Sequence, residues 1–244
     1  MKLRFVFTPI SIFSAYVSAQ EVPPAQDVDF PGTMRLEVDA RDTEQGIFQV
    51  RQSIPVPAAG PMVLLFPEWL PGTHAPRGQI EKLAGLTIKA NGNQLDWRRD
   101  AEDVFAFHVD VPDGARTLDV SFQFLSATEP DQGRVVVSPD IINLQWQSVS
   151  LYPAGWFTRR IPVRASVTWP SGWKAATALR PASTNGDTIQ YQTTDYETLV
   201  DSPVFAGKYF RAEPLGNNVT LNLVADEAKY LNATPEQLAT HKKL

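Results

Sequence analysis

Side chains able to bind a metal or move a proton are scarce in this chain. It carries three histidines, His74, His108 and His241, and no cysteine. A zinc-peptidase helix needs two histidines one turn apart around a glutamate, so that both imidazoles reach the ion and the carboxylate activates water. No His-Glu-x-x-His occurs, so no residue of the sequence is assigned as catalytic or as a metal ligand. His108 alternates with Phe107 and Val109 and is expected on the polar face of a strand. His241 reads as a surface or helix-packing residue.

Other chemistries fare no better. There is no Gly-x-Ser-x-Gly elbow, phosphate-binding glycine loop or dinucleotide fingerprint. Glu102-Asp103 and Asp226-Glu227 read as solvated surface charge, since a glycosidase pair is defined by spacing in space. Trp69, Trp97, Trp146, Trp156, Trp169 and Trp173 could include an exposed sugar platform, although core packing is the ordinary use of tryptophan. With 22 Lys and Arg against 27 Asp and Glu, a net charge of -5, there is no electrostatic footprint for nucleic acid or an anionic membrane.

The elements that must position any site follow from pattern. Residues 1–19 read as a secretory signal: Lys2 and Arg4 open it, Phe5 to Val17 form an apolar stretch, and Val17-Ser18-Ala19 offers a small-residue cleavage site. An uncleaved anchor is the competing reading, because Pro9 and several hydroxyls interrupt the stretch. Cleavage predicts an exported protein, periplasmic or extracellular, with no membrane association afterwards. Residues 20–32, with three prolines, read as an extended lead-in, and folding is expected to begin near Thr33.

From residue 33 to 225 the dominant signal is alternation. Met34, Leu36 and Val38 alternate with polar residues, as do Phe48 and Val50, Val163 to Trp169, and Val219 to Leu223. Asn91-Gly92 is a short-hairpin signal because both residues tolerate positive φ. Phe105 to Val111, a Pro112-Asp113-Gly114 turn, and Leu118 to Phe124 predict a second hairpin. The expected fold is mainly β, an antiparallel sandwich or curved sheet, with the start of a helix at the C-terminus. Residues 226–244 hold that helix: Thr234-Pro235-Glu236-Gln237 is a capping box with proline at the first helical position.

Several phrases, taken together and in order, resemble a known family. They are Phe66-Pro67-Glu68-Trp69-Leu70-Pro71-Gly72-Thr73 with Arg77, then Lys89-Ala90-Asn91-Gly92-Asn93-Gln94-Leu95. Further on come Asp195-Tyr196-Glu197-Thr198-Leu199-Val200-Asp201-Ser202-Pro203-Val204 with Gly207, and Ala233-Thr234-Pro235-Glu236-Gln237-Leu238. Over roughly residues 33–244 the sequence resembles the N-terminal region of the glycyl aminopeptidase family, family sixty-one of the metallopeptidases.

That resemblance implies a β-rich domain preceding a thermolysin-like catalytic domain that holds zinc, with peptide as the substrate. The zinc ligands would lie beyond Leu244, so zinc and activity are expected of the missing domain and not of this chain. Leu199 to Val204 resembles the segment leading out of the β domain, and residues 234–244 the first helix of the catalytic one. The expected role is a non-catalytic domain that scaffolds the catalytic domain of the same polypeptide and lines its substrate cleft.

By position within the resemblance, Asn143 and Gln145 are the cleft candidates, although Ile141 to Gln147 equally reads as a plain strand with those amides toward solvent. Trp69 and Arg77 carry two readings as well: a loop fixed by a packed tryptophan, or a binding role. The rival class is a stand-alone exported β-sandwich that binds carbohydrate or protein.

Overall fold

Alternation fixes which face of each strand is buried, and the computed structural model shows what each face is buried against. It describes residues 21–69 and 75–241. The expected signal segment, residues 70–74 with Pro71, Gly72 and His74, and Leu244 lie outside the described residues.

The first strands in chain order are β1 (Met34–Asp42), β2 (Ile47–Pro55), β3 (Gly60–Leu65), β4 (Leu83–Ala90), β5 (Asn93–Leu95) and β6 (Trp97–Arg99). Next come β7 (Ala106–Val111), β8 (Thr117–Leu125), β9 (Ile141–Leu144), β10 (Tyr152–Pro153), β11 (Pro162–Thr168) and β12 (Lys174–Ala176). The last are β13 (Pro181–Asn185), β14 (Thr188–Tyr191), β15 (Thr194–Asp195), β16 (Val204–Gly207), β17 (Tyr209–Gly216) and β18 (Val219–Ala225), with α1 (Tyr196–Val200) and α2 (Pro235–His241).

The largest sheet has nine strands in the order β13-β14-β11-β1-β2-β8-β4-β5, with β15 beside β11. Its inner face packs Met34, Leu36, Val50, Val120, Phe122 and Val163 into one core with Phe107 and Val109 of a four-stranded sheet and Ile142 and Val204 of a three-stranded one. The mainly β, sandwich-like expectation holds. One pairing departs from antiparallel geometry: β1 runs parallel to β11, with Met34 opposite Val163. On the outer face complementary charges sit opposite each other, Glu37 with Arg51 and Lys89 with Asp119, which favours this register.

The Asn91-Gly92 turn joins β4 to β5 as expected, with Ala90 opposite Asn93 and positive φ at both turn residues. The second expected hairpin does not form. β7 pairs with β3 and β6 in the four-stranded sheet, whereas β8 pairs with β2 and β4 in the large one. Pro112-Asp113-Gly114 therefore carries the chain across the sandwich. An apolar face is covered equally well by a stacked sheet as beside a paired strand, so the two arrangements share one alternation pattern.

Folding also begins earlier than Thr33. Gln26 donates its N–H to the Gly155 carbonyl and accepts from Phe157, and Phe30 is buried with its ring edge-on to Trp156. Asp27 pairs with Arg159 and Arg160. The lead-in is a strap laid along residues 155–160.

Leu199 to Val204 is itself ordered within the β fold. It closes α1, whose N-cap Asp195 accepts from the Thr198 N–H at 2.8 Å, and feeds β16. After β16 the chain forms the β17–β18 ribbon, and α2 follows it. There the Thr234 hydroxyl and Gln237 amide form the expected reciprocal capping box ahead of α2.

Candidate functional site

The segment leaving β3 runs Phe66-Pro67-Glu68-Trp69 and returns at Arg77. Its two arms are pinched together because the Glu68 carbonyl accepts from the N–H groups of both Arg77 (2.9 Å) and Gly78 (3.2 Å). Gly78 is required at that crossing: a Cβ there would lie 2.2 Å from the Pro67 carbonyl oxygen and 2.9 Å from the Phe105 ring. The pinch leaves Arg77 exposed and Trp69 60% exposed.

Facing it is the segment from β9 onward. The strand ends at Leu144 and a 3-10 turn, Trp146–Ser148, follows, so the segment is not a plain strand; Ile142, Leu144 and Trp146 are buried, and Asn143, Gln145 and Gln147 stay half-buried beside one another. Trp146 is anchored by its indole N–H, which donates to the Ser202 carbonyl at 2.8 Å. The three amides form a row. Gln145 Nε2 donates to Asn143 Oδ1 at 2.6 Å, and Gln147 Nε2 donates to Gln145 Oε1 at 3.0 Å.

Between pinch and row lies a cavity of about 400 Å³, lined by Arg77, Gly78, Gln79, Gly133, Arg134, Gln145 and Gln147 among others. The structure thus brings Arg77 and Gln145 together. Asn143 stands behind Gln145 as its acceptor, and Trp69 is not part of the lining. Gln79, Gly133 and Arg134 carry no sequence signal for a site, since they sit in ordinary-looking loops. Preassembled amide donors and acceptors beside guanidinium groups suit an extended peptide, which offers alternating N–H and C=O groups and carboxylates.

A larger concavity, about 850 Å³, lies over the outer face of the nine-stranded sheet. Its groups satisfy one another: Arg41 with Asp39, Gln123 with Gln49 at 3.1 Å, and Thr168 with Thr188 at 2.9 Å. It is a solvated sheet face. The tryptophans form no platform among the described residues, since only Trp69 is exposed while the other five are buried or half-buried.

His108 is not on a solvent face. It is buried, with Nε2 2.7 Å from Asp100 Oδ2 and with Nδ1 lacking a partner among the described residues. The reason is that the outer face of the four-stranded sheet is itself covered, with Val63, Ala106 and Ala154 clustered there under Val22 of the strap. Asp100 also accepts from the N–H groups of Glu102 and Asp103, and these bonds, ahead of His108, lower its pKa to about 2. Nearby, burial pushes the Tyr152 hydroxyl up to about 12, with the Asp103 and Glu68 carboxylates adding to the effect.

Zinc does not fit the described residues. Among them no three His, Asp or Glu side chains converge, and His108 meets a single carboxylate.

Comparison with solved structures supports the architecture. An aminopeptidase N family protein from Idiomarina loihiensis superposes with a TM-score of 0.64 at 17% identity, over 79% of this chain and 32% of its own. Weaker likenesses are leukotriene A4 hydrolase from Saccharomyces cerevisiae, with a TM-score of 0.45, 10% identity, and 78% and 30% coverage, and an M1 zinc metallopeptidase from Deinococcus radiodurans, with a TM-score of 0.40, 13% identity, and 80% and 46% coverage. The chain therefore spans less than half the length of each of these proteins. No curated protein sequence matches it. A family model described as the Peptidase M61 N-terminal domain matches residues 35–208, which is most of the chain. On that match, and in agreement with the resemblance carried by its motifs, the chain belongs to the Peptidase M61 N-terminal domain family.

Proposed function

We propose that this chain is the non-catalytic front domain of an exported zinc aminopeptidase, and that it packs against a catalytic domain on the same polypeptide and forms one wall of its substrate cleft. The observation that carries the reading is the cavity between the Glu68–Arg77 pinch and the Asn143-Gln145-Gln147 row, a concavity that sets amide and guanidinium groups beside apolar Phe66 and Val136, in a domain of a peptidase family. Zinc, held by the catalytic domain, would supply Lewis-acid activation of water and of the scissile carbonyl. This domain's part is to hold and orient the peptide: Gln145 and Gln147 offer amide groups, Arg77 a charge, and Asn143 fixes the rotamer of Gln145. The basic start and apolar stretch of residues 1–19 support export.

The test is to express the protein together with the coding sequence downstream of Leu244 and to assay zinc-dependent release of N-terminal glycine from short peptides. Gln145→Ala is expected to lower kcat/KM by about tenfold, the scale of one or two lost hydrogen bonds. A reading frame that closes without His-Glu-x-x-His, together with no chelator-sensitive activity, would sink the proposal and leave a binding module.

A further inference from the structure

The same cavity holds an imbalance of charge that the scaffold does not need. Arg77 and Arg134 both line it, and no Asp or Glu does. Lys82 Nζ stands behind Gly133, where a Cβ on that glycine would lie 3.5 Å from the ammonium and 2.6 Å from Gln79 Nε2. Gly133 has φ of +118, so both its backbone and its missing side chain keep that space open.

None of the three cations has a carboxylate within 4.0 Å among the described residues, although Glu81, Glu129 and Asp131 are close in sequence. Arginines without a carboxylate partner also occur elsewhere on the surface, Arg35, Arg98 and Arg164 among them; what sets this place apart is that two of them line one cavity with no carboxylate beside them.

We infer that this cleft is a carboxylate-recognition subsite, with Arg77 and Arg134 as the charged contacts, Lys82 reinforcing their field, and Gln145 and Gln147 donating to or accepting from the adjoining peptide group. The inference rests on the peptide-cleft reading above and gives it a substrate class: short acidic peptides, recognised either by an acidic side chain or by a free C-terminus. Guanidinium groups suit a carboxylate because their N–H pairs match its two oxygens. Both arginines are exposed, so the attraction is screened by salt.

The experiment uses the full chain, labelled with 15N, and three probes: Gly-Ala-Ala as the free acid, Gly-Ala-Glu amide and Gly-Ala-Gln amide. Side-chain amide resonances of Gln145 and Gln147 report binding. At least one charged probe is expected to bind about tenfold more tightly than Gly-Ala-Gln amide. The preference should fall with added salt and vanish in the Arg77→Gln/Arg134→Gln variant, whose spectrum elsewhere reports that the fold is intact.

Comparison of the two charged probes tells side-chain from C-terminal recognition. Equal binding of all three probes, no movement of either amide, or a preference that survives the double variant would each overturn the inference. A charge preference in a protein without aminopeptidase activity would fault the enzymatic reading and leave the anion site. Activity without a charge preference would do the reverse.

Discussion

The side-chain amide of Gln52 forms two hydrogen bonds with the main chain of Leu151: Nε2 donates to the Leu151 carbonyl at 2.9 Å, and Oε1 accepts from the Leu151 N–H at 2.8 Å. Gln52 occupies an inward position of β2 and is 4% exposed. The pair lets an irregular segment cross a buried sheet face without leaving its backbone groups unsatisfied. Gln52→Ala is expected to destabilise the fold by about 2 to 4 kcal/mol, since it orphans both Leu151 groups. Urea denaturation checks this, and a change under about 0.5 kcal/mol would show that water replaces the amide.

Asp100 sets a pH dependence. Its folded pKa, about 2, lies below its ordinary 3.8, so its contribution to stability is complete above the ordinary value and is lost as pH falls from about 4 to about 2. Asp100→Asn should lower the thermal midpoint at neutral pH and remove its share of the acid slope. Midpoints of both proteins between pH 2 and 5 decide the matter: parallel curves would show that Asp100 adds nothing.

The strap is held by its aromatic end. Phe30→Ala is expected to cost about 3 to 5 kcal/mol, because the ring is buried against Trp156. Asp27→Asn breaks exposed ion pairs with Arg159 and Arg160 and should leave the thermal midpoint nearly unchanged. The reverse ranking would mean that charge positions the strap.

Gly78→Ala pushes a methyl group into the Pro67 carbonyl and the Phe105 ring. The expected cost is about 1 to 3 kcal/mol, with movement of the pinch that carries Arg77. Wild-type resonances for Glu68 and Gly78 in the variant would refute the packing argument.

Thr234→Ala should loosen α2 locally by about 1 kcal/mol while global unfolding stays the same, because that short helix has no buried residue. Amide exchange of Leu238, whose N–H donates to the Thr234 carbonyl, reads it out directly.

What could be read from the residues alone were features set by neighbours in sequence. Asn91-Gly92 dictates its hairpin through backbone conformation, and Thr234 to Gln237 dictates its cap through side chains within one turn. Partners set by distant residues were illegible. The apolar faces of β7 and β8 are marked by alternation, yet nothing local tells whether they pair or stack. The burial of His108 depends on the strap and on Ala154, both remote in the chain. Arg77 and Gln145 entered only through resemblance, and Arg134 joins them because the sheet brings three separate segments to one edge.

The parallel neighbours β1 and β11 have a consequence for the order of assembly. Strand β1 is among the first parts of the domain to be synthesised, and its final neighbour on one side is complete only at Thr168. Closing so long a loop costs entropy before any contact repays it, so the β1–β11 junction is expected to form late in the assembly of the central sheet. A β1-β2-β8-β4 half formed ahead of that junction would carry an open edge at β1, a template for pairing with another copy of the chain.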